Sequence, residues 1–184
     1  MADMRYLVAI MVPEPQHTQL LELQNRHRPR RWQITLDPHI TLLPPSDAHL
    51  EPAAAIRAFE ALAPTLDLMI TARHLSRFDH PDSHVIYLAA EPAAQLRDLS
   101  QHLYQAAIWQ DVHPRLWPDF TPHITLANKL HDTEVEACWN ALSARNYDDV
   151  TFHVTGVTLL GRESDWPTWR PLASSNVTAG ETRT

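Results

Sequence analysis

The sequence predicts a mixed fold of helices and strands built from two similar halves. Apolar runs of strand length alternate with segments of helical spacing, and the same order of elements occurs twice. The pentapeptide PHITL at residues 38–42 recurs without change at residues 122–126. A chain of 184 residues is long enough to bury a sizeable core shared by both halves.

Prolines separate the elements of the first half. Pro13 and Pro15 end an apolar strand, and Pro29 ends the helix that follows it. Pro52 suits the first turn of a second helix, which Pro64 stops. The expected elements are a strand over 6–12, a helix over 15–27, extended segments over 34–36 and 39–43 that prolines 44 and 45 close, a helix over 52–63 and a strand over 66–70.

The second half repeats this order after a polar stretch over 73–83, which we expect to be a connection between the halves. Pro92 opens a helix, and a loop containing Trp109 and Trp117 follows it. Thr133 and Glu136 have the spacing of a helix capping box. The expected elements are a strand over 85–90, a helix over 93–107, a strand over 123–127, a helix from 133, a long strand over 150–160, a further strand near 169 and a flexible tail over 173–184.

Each PHITL copy is predicted to lie on the middle strand of its half. Residues i and i+2 of a strand point to the same face, so His39 projects with Thr41 and His123 with Thr125. The intervening Ile and Leu side chains then face a core. If the halves pack about a pseudo-twofold axis, the two His-Thr pairs lie on opposite sides of one groove. The alternative is that both histidines are strand residues that point to solvent.

Two imidazoles and two hydroxyl groups in one groove suit attack on a phosphodiester. One imidazole can accept a proton while the other donates one. Threonine hydroxyls can donate hydrogen bonds to the non-bridging oxygens of a phosphate. The three glycines all lie at residue 156 or later, so no glycine-rich loop is available to hold a phosphate. Side chains must then do so, and the paired threonines are the candidates.

Two H-x-T-x motifs, one in each half, resemble the two-histidine (2H) phosphoesterase superfamily, which includes the LigT-like 2′-5′ RNA ligases and 2′,3′-cyclic phosphodiesterases. The resemblance covers about residues 4–172 and implies one bilobal α+β domain, with antiparallel sheets around a central cleft and pseudo-repeats over about 4–72 and 84–160. The region between the motifs is similar to the bacterial YjcG-like branch at Phe78, Pro81, Val85-Ile86-Tyr87, Ala90-Glu91-Pro92 and Leu103-Tyr104.

The resemblance implies paired acid and base roles for His39 and His123, and phosphate-binding roles for Thr41 and Thr125. It favours hydrolysis of a 2′,3′-cyclic phosphate on RNA ends or nucleotides, with reversible 2′-5′ RNA ligation as a related reaction. No metal and no other cofactor is expected. Which histidine is the base stays open, as does the linkage broken. The alternative is a non-catalytic protein that binds RNA ends or nucleotides in the same cleft.

The composition of the chain limits the classes of molecule that we expect it to bind. A net charge of −7 argues against binding long nucleic acid, which requires a basic face. The single cysteine excludes a disulfide framework and a multi-thiolate zinc site. No apolar run approaches the roughly 20 residues of a membrane span, and the first residues lack the pattern of a signal peptide. We therefore expect a cytoplasmic monomer that does not bind membranes.

Three residues near the motifs are candidates for contact with a base or an RNA end. Trp32 and Arg31 precede the first motif and Phe120 precedes the second, and aromatic and arginine side chains stack on bases and hold phosphates. The alternative is that Trp32 and Phe120 only anchor their strands to the core. His153 belongs to a third H-x-T, but no second copy pairs with it, since the repeat offset of 84 residues leads to Met69. We expect His153 to be an ordinary sheet residue.

Overall fold

The computed structural model describes residues 4–46, 50–105, 120–144 and 149–175. In these ranges eight strands and four helices follow one another along the chain. No helix in the described ranges has the length and apolarity that crossing a membrane requires. The elements are β1 (Arg5–Met11), α1 (Gln16–His27), β2 (His39–Ser46), α2 (Pro52–Leu62), β3 (Leu68–His80), β4 (Ser83–Glu91), α3 (Ala93–Tyr104), β5 (His123–Leu130), α4 (Asp132–Ser143), β6 (Val150–Val154), β7 (Thr158–Arg162) and β8 (Arg170–Ser174).

All eight strands belong to one antiparallel sheet with the order β6-β3-β4-β5-β2-β1-β7-β8. Two groups of four strands meet where β5 lies beside β2, and there the pairing consists of Ile40 with Ile124. Such a short ladder lets the two groups diverge on either side of this pair. The α+β fold with antiparallel strands in two lobes is confirmed, and the two lobes share one continuous sheet.

The duplication is visible in the geometry. Ile40 and Ile124 are the same position of the two pentapeptides, and they pair with each other. Strands β2 and β5 have the same sequence of buried and exposed positions over all eight residues. Each half contributes a helix that packs on the central strand of the other half: α1 packs against β5, and α3 packs against β2. These relations are those of a pseudo-twofold axis passing between β2 and β5.

The main core lies between the helices and one face of the sheet. Ile40, Leu42, Ile124 and Leu126 of the two pentapeptides are at most 2% exposed and belong to this core, as their strand positions predict. The core also contains apolar residues of every helix, among them Leu20, Phe59, Leu96, Leu103, Val135 and Leu142. The histidines and threonines of the pentapeptides therefore emerge on the opposite face.

Several predicted boundaries are wrong in ways that the sheet explains. Strand β2 continues through Pro44 and Pro45 to Ser46. The ladder with β1 is irregular here and the ladder with β5 is short, so neither proline has a ladder partner. The sheet therefore requires no N–H donor at these two positions. The stretch over 73–83 is not a connection, because β3 runs to His80 and turns directly into β4. Its polar side chains lie on a strand whose two faces are largely exposed, which conceals the strand from an apolar-pattern analysis.

The end of the chain also differs from expectation. The strand predicted over 150–160 is two strands, β6 and β7, which lie in different lobes. Residues 173 and 174 belong to β8 and not to a tail, and the rest of the predicted tail is outside the described residues, as are Trp109 and Trp117. Helix α4 begins at Asp132, where the Glu134 carboxylate accepts a hydrogen bond from the His131 N–H at 2.9 Å. The cap therefore uses residues 131 and 134 and not 133 and 136.

The β3–β4 hairpin is joined to helix α4 through His84. Its Nδ1 lies 2.6 Å from Asp79 Oδ1 and its Nε2 lies 2.6 Å from Asp132 Oδ1, so the imidazole connects two carboxylates. The hydrogen bonds to Asp132 and Asp79 raise the pKa of His84 above its usual 6.5. The protonated ring can donate to both carboxylates at once, whereas the neutral ring can donate to only one.

We expect the stabilising effect of His84 to depend on pH. Because the pKa is raised in the folded state, the contribution to stability is complete below about pH 6.5 and is lost as the pH rises through the raised pKa. His84→Gln should therefore lower Tm more at pH 5.5 than at pH 9, as measured by thermal denaturation. His80→Gln, at the end of β3 in the same hairpin, is the matched control. An equal loss of Tm at both pH values would contradict the ionic role.

Candidate active site

Four polar side chains of the two pentapeptides share one face of the sheet. The pair Ile40–Ile124 fixes the register of β2 against β5. In that register His39 lies across from Thr125, and Thr41 lies across from His123, with their side chains on the face opposite the two isoleucines. The structure therefore brings the two predicted His-Thr pairs together at the junction of the lobes.

The two imidazoles are oriented in the same way. His39 Nδ1 lies 2.7 Å from the Asp37 carbonyl oxygen, and His123 Nδ1 lies 2.7 Å from the Thr121 carbonyl oxygen. A carbonyl only accepts, so each Nδ1 carries the proton and donates it. Each Nε2 is then the basic nitrogen of the neutral ring. A backbone contact of this kind fixes both the tautomer and the direction of a histidine ring.

The prolines before the histidines fix the start of each strand. The Pro38 carbonyl accepts a hydrogen bond from the Val12 N–H at 3.1 Å, and the Pro122 carbonyl accepts one from the Ala90 N–H at 2.9 Å. A proline at the beginning of a strand removes no ladder hydrogen bond and restricts the residue before it to extended backbone. The same sequence therefore builds the same local geometry twice.

Burial controls the protonation of both imidazoles. Desolvation, with a smaller contribution from the nearby His123, lowers the pKa of His39 to about 4 against the opposing hydrogen bond to the Asp37 carbonyl and the charge of Asp37. Desolvation also lowers the pKa of His123, opposed by its hydrogen bond to the Thr121 carbonyl. Near neutral pH both rings of the free protein are therefore mainly neutral, and each offers an unprotonated Nε2.

A cavity of about 270 Å³ opens beside these residues in the lobe of β1 and β2. This volume is near the lower end of the roughly 300–1,000 Å³ range of small-molecule pockets. Its floor on β1 belongs to a small apolar cluster of Leu7, Ala9 and Leu160, which is separate from the main core. The cavity walls include His39, Thr41, Thr125, Gln24, Trp32 and Trp169.

The other lobe presents aromatic rings to His123. Phe78 stacks on Tyr87 with ring centroids 4.2 Å apart. The His123 ring centroid lies 5.1 Å from that of Phe78 and 4.9 Å from that of Tyr87. Tyr87 pairs with Thr125 in the ladder of β4 and β5, which explains its position. The site is therefore asymmetric, with a cavity on the His39 side and an aromatic stack on the His123 side.

The three residues proposed for contact with a base or RNA end occupy different environments. Trp32 lines the cavity. Arg31 forms a two-pronged ion pair with Glu134 and donates to the Lys129 carbonyl at 2.6 Å, so its guanidinium joins β5 and α4. Phe120 is 8% exposed, which agrees with an anchoring role. Of the three, only Trp32 lines the described cavity.

The third H-x-T motif lies away from this junction. His153 is on β6, pairs with Met69 in the ladder of β3 and β6, and is 2.7 Å from Asp67 Oδ1 through its Nε2. Strand β6 is the edge strand of the sheet and is separated from β5 by β3 and β4. Met69, the position that the repeat offset of 84 residues reaches from His153, is therefore its ladder neighbour in the same lobe.

Gln24, Trp169 and Asn128 line the cavity and were not candidates from the sequence. Gln24 offered one signal, because it follows the apolar Leu20 by four residues and so lies on the buried side of α1. Trp169 reaches the cavity because its N–H donates to the Thr35 carbonyl at 2.9 Å. That contact joins segments far apart in the chain, and no local pattern reveals it.

Known structures share this fold. Escherichia coli LigT complexed with 3′-AMP has 18% sequence identity and a TM-score of 0.62, covering 97% of this chain and 99% of that chain. The same protein complexed with phosphate has 20% identity and a TM-score of 0.58, covering 95% and 97%. A structure described as a phosphoesterase has 20% identity and a TM-score of 0.57, covering 92% and 96%.

A search of curated proteins found no match. The family model of the 2′-5′ RNA ligase superfamily, however, matches residues 12–166, which include both pentapeptides and most of the sheet. This range covers far more than half of the chain, and the fold of LigT agrees with it. The chain therefore belongs to the 2′-5′ RNA ligase superfamily.

Proposed function

We propose that this protein hydrolyses 2′,3′-cyclic phosphates on nucleotides or RNA ends without a metal ion. The observation that carries the proposal is the duplicated imidazole geometry, in which each Nδ1 donates to the carbonyl two residues earlier and each Nε2 stays free to exchange a proton. Two such rings beside two threonine hydroxyls form the minimum set for acid–base attack on a phosphodiester. LigT, which has the same fold, binds 3′-AMP and phosphate.

The two histidines divide the proton transfers. One neutral Nε2 takes a proton from water while the water oxygen attacks phosphorus. The bond from phosphorus to the ribose 2′ or 3′ oxygen breaks, and the other histidine, protonated at Nε2, gives its proton to that oxygen. One water is consumed, and the products are a phosphomonoester and a free hydroxyl. Proton exchange with solvent restores both rings.

The threonines hold the phosphate in this proposal. Thr41 and Thr125 flank the histidines on the same face, and their hydroxyls donate to the non-bridging oxygens as negative charge moves onto them. With a 5′-hydroxyl in place of water as the nucleophile, the same base and acid would form a bond from phosphorus to the 5′ oxygen and break the bond to the ribose 3′ oxygen, so 2′-5′ ligation needs no further residue. Trp32 on the cavity wall is suited to stack on a base.

We also propose that the chain acts as a cytoplasmic monomer on short substrates, and that both lobes form one domain. The continuous sheet across the lobes supports a single domain. A net charge of −7 supports a short substrate, because binding long nucleic acid requires many phosphate contacts. We also propose a relation to the YjcG-like branch, because the residues that resemble that branch include Phe78 and Tyr87, whose rings stack beside His123.

We expect the purified protein to convert 2′,3′-cyclic AMP to adenosine monophosphate in the presence of EDTA. Chromatography that separates 2′-AMP from 3′-AMP will identify the bond that breaks. The control is the His39→Ala/His123→Ala double variant purified in the same way, which excludes contaminating nucleases. Activity that EDTA abolishes and a divalent cation restores would contradict the metal-free mechanism. Tight binding without turnover of nucleotides or RNA ends would instead favour a non-catalytic binding protein.

A further inference from the structure

Gln24 is a buried amide at the edge of the candidate active site. It lies on α1, is 3% exposed and lines the same cavity as His39 and Thr125. Its Nε2 donates a hydrogen bond to the Thr125 carbonyl at 2.7 Å. Its Oε1 is buried and has no hydrogen-bond partner among the described residues. The proposed hydrolysis assigns no role to this amide.

The chemistry of the contact identifies which amide atom is left over. The Thr125 carbonyl can only accept a hydrogen bond, so the NH₂ group of Gln24 must face it. The remaining atom is therefore the carbonyl oxygen, which can only accept. Leaving a buried acceptor without a donor is unfavourable, and such atoms are uncommon in folded proteins. A donor supplied by a ligand in the cavity would satisfy it.

A phosphate cannot be that donor, because its non-bridging oxygens accept hydrogen bonds at neutral pH. The donor must belong to another part of the ligand. We propose that Gln24 is a specificity-determining residue that accepts a hydrogen bond through Oε1 from the nucleoside next to the bound phosphate, either from a ribose hydroxyl or from a nucleobase N–H. This inference rests on the proposed function to the extent that a nucleotide occupies the cavity.

The other lobe supplies a comparison. Ser100 on α3 is 4% exposed, and its Oγ donates to the Leu42 carbonyl of β2 at 2.7 Å. Gln24 and Ser100 therefore each connect a helix to the central strand of the opposite half. The hydroxyl of Ser100 suffices for that connection. Gln24 makes the same kind of connection and in addition carries an acceptor beside the cavity. Ser100→Ala removes only a helix-to-strand connection and is therefore the control for the structural role of Gln24.

The experiment measures binding of matched ligands by calorimetry. One pair is 3′-AMP and its 2′-deoxy analogue, which lacks the hydroxyl beside the phosphate. The second pair is 3′-AMP and the 3′-phosphate of purine riboside, which lacks the exocyclic N–H donors. We expect the unmodified protein to prefer the ligand with the donor by roughly three- to tenfold in one of the two pairs. In Gln24→Met that ratio should fall to about one.

Ser100→Ala should keep the ratio of the unmodified protein, because it removes a helix-to-strand hydrogen bond without removing an acceptor from the cavity. A ratio isolates the acceptor, since a displaced Thr125 would weaken both ligands of a pair alike. If Gln24→Met abolishes the preference within the first pair, the ribose hydroxyl is the donor to Gln24. If it abolishes the preference within the second pair, the nucleobase is the donor. Ratios in Gln24→Met equal to those of the unmodified protein in both pairs would overturn the inference.

Binding and turnover distinguish this inference from the proposed function. If the protein binds 3′-AMP with a preference that depends on Gln24 but hydrolyses no cyclic phosphate, the proposed hydrolysis fails and the role of Gln24 stands. If cyclic phosphate is hydrolysed and neither ratio depends on Gln24, the role of Gln24 fails alone. An absence of nucleotide binding by the unmodified protein would overturn the inference together with nucleotides as the substrate.

Discussion

Replacing either His39 or His123 by alanine is expected to lower kcat/KM for a 2′,3′-cyclic nucleotide by about 10²-fold or more. Each ring is fixed by a backbone carbonyl at 2.7 Å and presents Nε2 on the face where the lobes meet. Removing one ring leaves either the nucleophile without a base or the leaving oxygen without an acid. Steady-state kinetics of the two variants, with folding checked by circular dichroism, will measure the loss.

The third H-x-T motif provides a matched control. His153 has the same residue pattern, lies on a strand and has a short contact with a carboxylate, but β6 is at the edge of the sheet. His153→Ala is therefore expected to keep kcat/KM within about twofold. Full activity in either His39→Ala or His123→Ala would contradict the two-histidine mechanism. A loss in His153→Ala as large as in the other two would show that the effect is not specific to the junction of the lobes.

The double variant tests whether the two rings act together. Groups that serve one transition state give losses that do not add, because the second removal costs little once the first has disabled the concerted proton transfer. We expect His39→Ala/His123→Ala to be only slightly less active than the weaker single variant. Losses that multiply would indicate two independent contributions, for example to binding, and would contradict a shared proton-transfer step.

The central strands of the site could be predicted because their geometry is local. The alternation of a strand requires His39 and Thr41 to share a face once Ile40 and Leu42 are buried, and the same holds for the second copy. The repeat led to the expectation that the two His-Thr pairs share one groove about a pseudo-twofold axis, but the direct pairing of the two strands at equivalent positions is known only from the structure. Ile40 opposite Ile124 is that pair.

The parts that sequence reasoning missed depend on long-range packing. Gln24 becomes part of the site because α1 crosses to the other half and meets β5. Trp169 reaches the cavity through a backbone contact with Thr35. Pro44 and Pro45 stay within β2 because of what the neighbouring strands leave unpaired. Each of these features is determined by a segment that is distant in sequence and adjacent in the fold. The residues next to it in the sequence therefore give no sign of it.

The second large effect is expected from pH. The free enzyme must hold one histidine neutral as the base and one protonated as the acid. Burial lowers the pKa of His39 to about 4 and lowers that of His123 below its usual 6.5, so both limbs of the profile of the free enzyme lie below pH 6.5. The profile of kcat/KM is therefore expected to be a bell that lies on the acidic side of neutrality, whichever histidine is the base.

On the alkaline side of this bell, kcat/KM should fall by about tenfold for each pH unit, because the protonated fraction of the acid falls by that factor. The measurement is the initial rate at low substrate concentration between pH 4 and 9 in buffers of constant ionic strength. A phosphodiester stays singly charged over this range, so substrate ionisation does not contribute. A kcat/KM that rises from pH 6 to pH 8 would contradict buried histidines as the proton carriers.

Folding must be checked across the same range, because the lowered pKa values also affect stability. An unfolded histidine binds protons more readily than the buried ring, so the stability that the neutral rings contribute is present above about pH 6.5 and is lost as the pH falls toward 4. The acidic limb of the rate profile is therefore compared with far-ultraviolet circular dichroism at each pH. Loss of rate with the fold intact assigns that limb to protonation of the base.

The profile of kcat should differ from that of kcat/KM in a defined direction. A bound phosphate brings negative charge next to both imidazoles, which favours their protonated forms and raises the pKa of each. The alkaline limb of kcat, which reports the enzyme–substrate complex, should therefore lie at higher pH than the alkaline limb of kcat/KM, which reports the free enzyme. Coincident limbs would mean that the phosphate does not bind beside His39 and His123. That result would also count against phosphate binding by Thr41 and Thr125, since these side chains share the face and the register of the two rings.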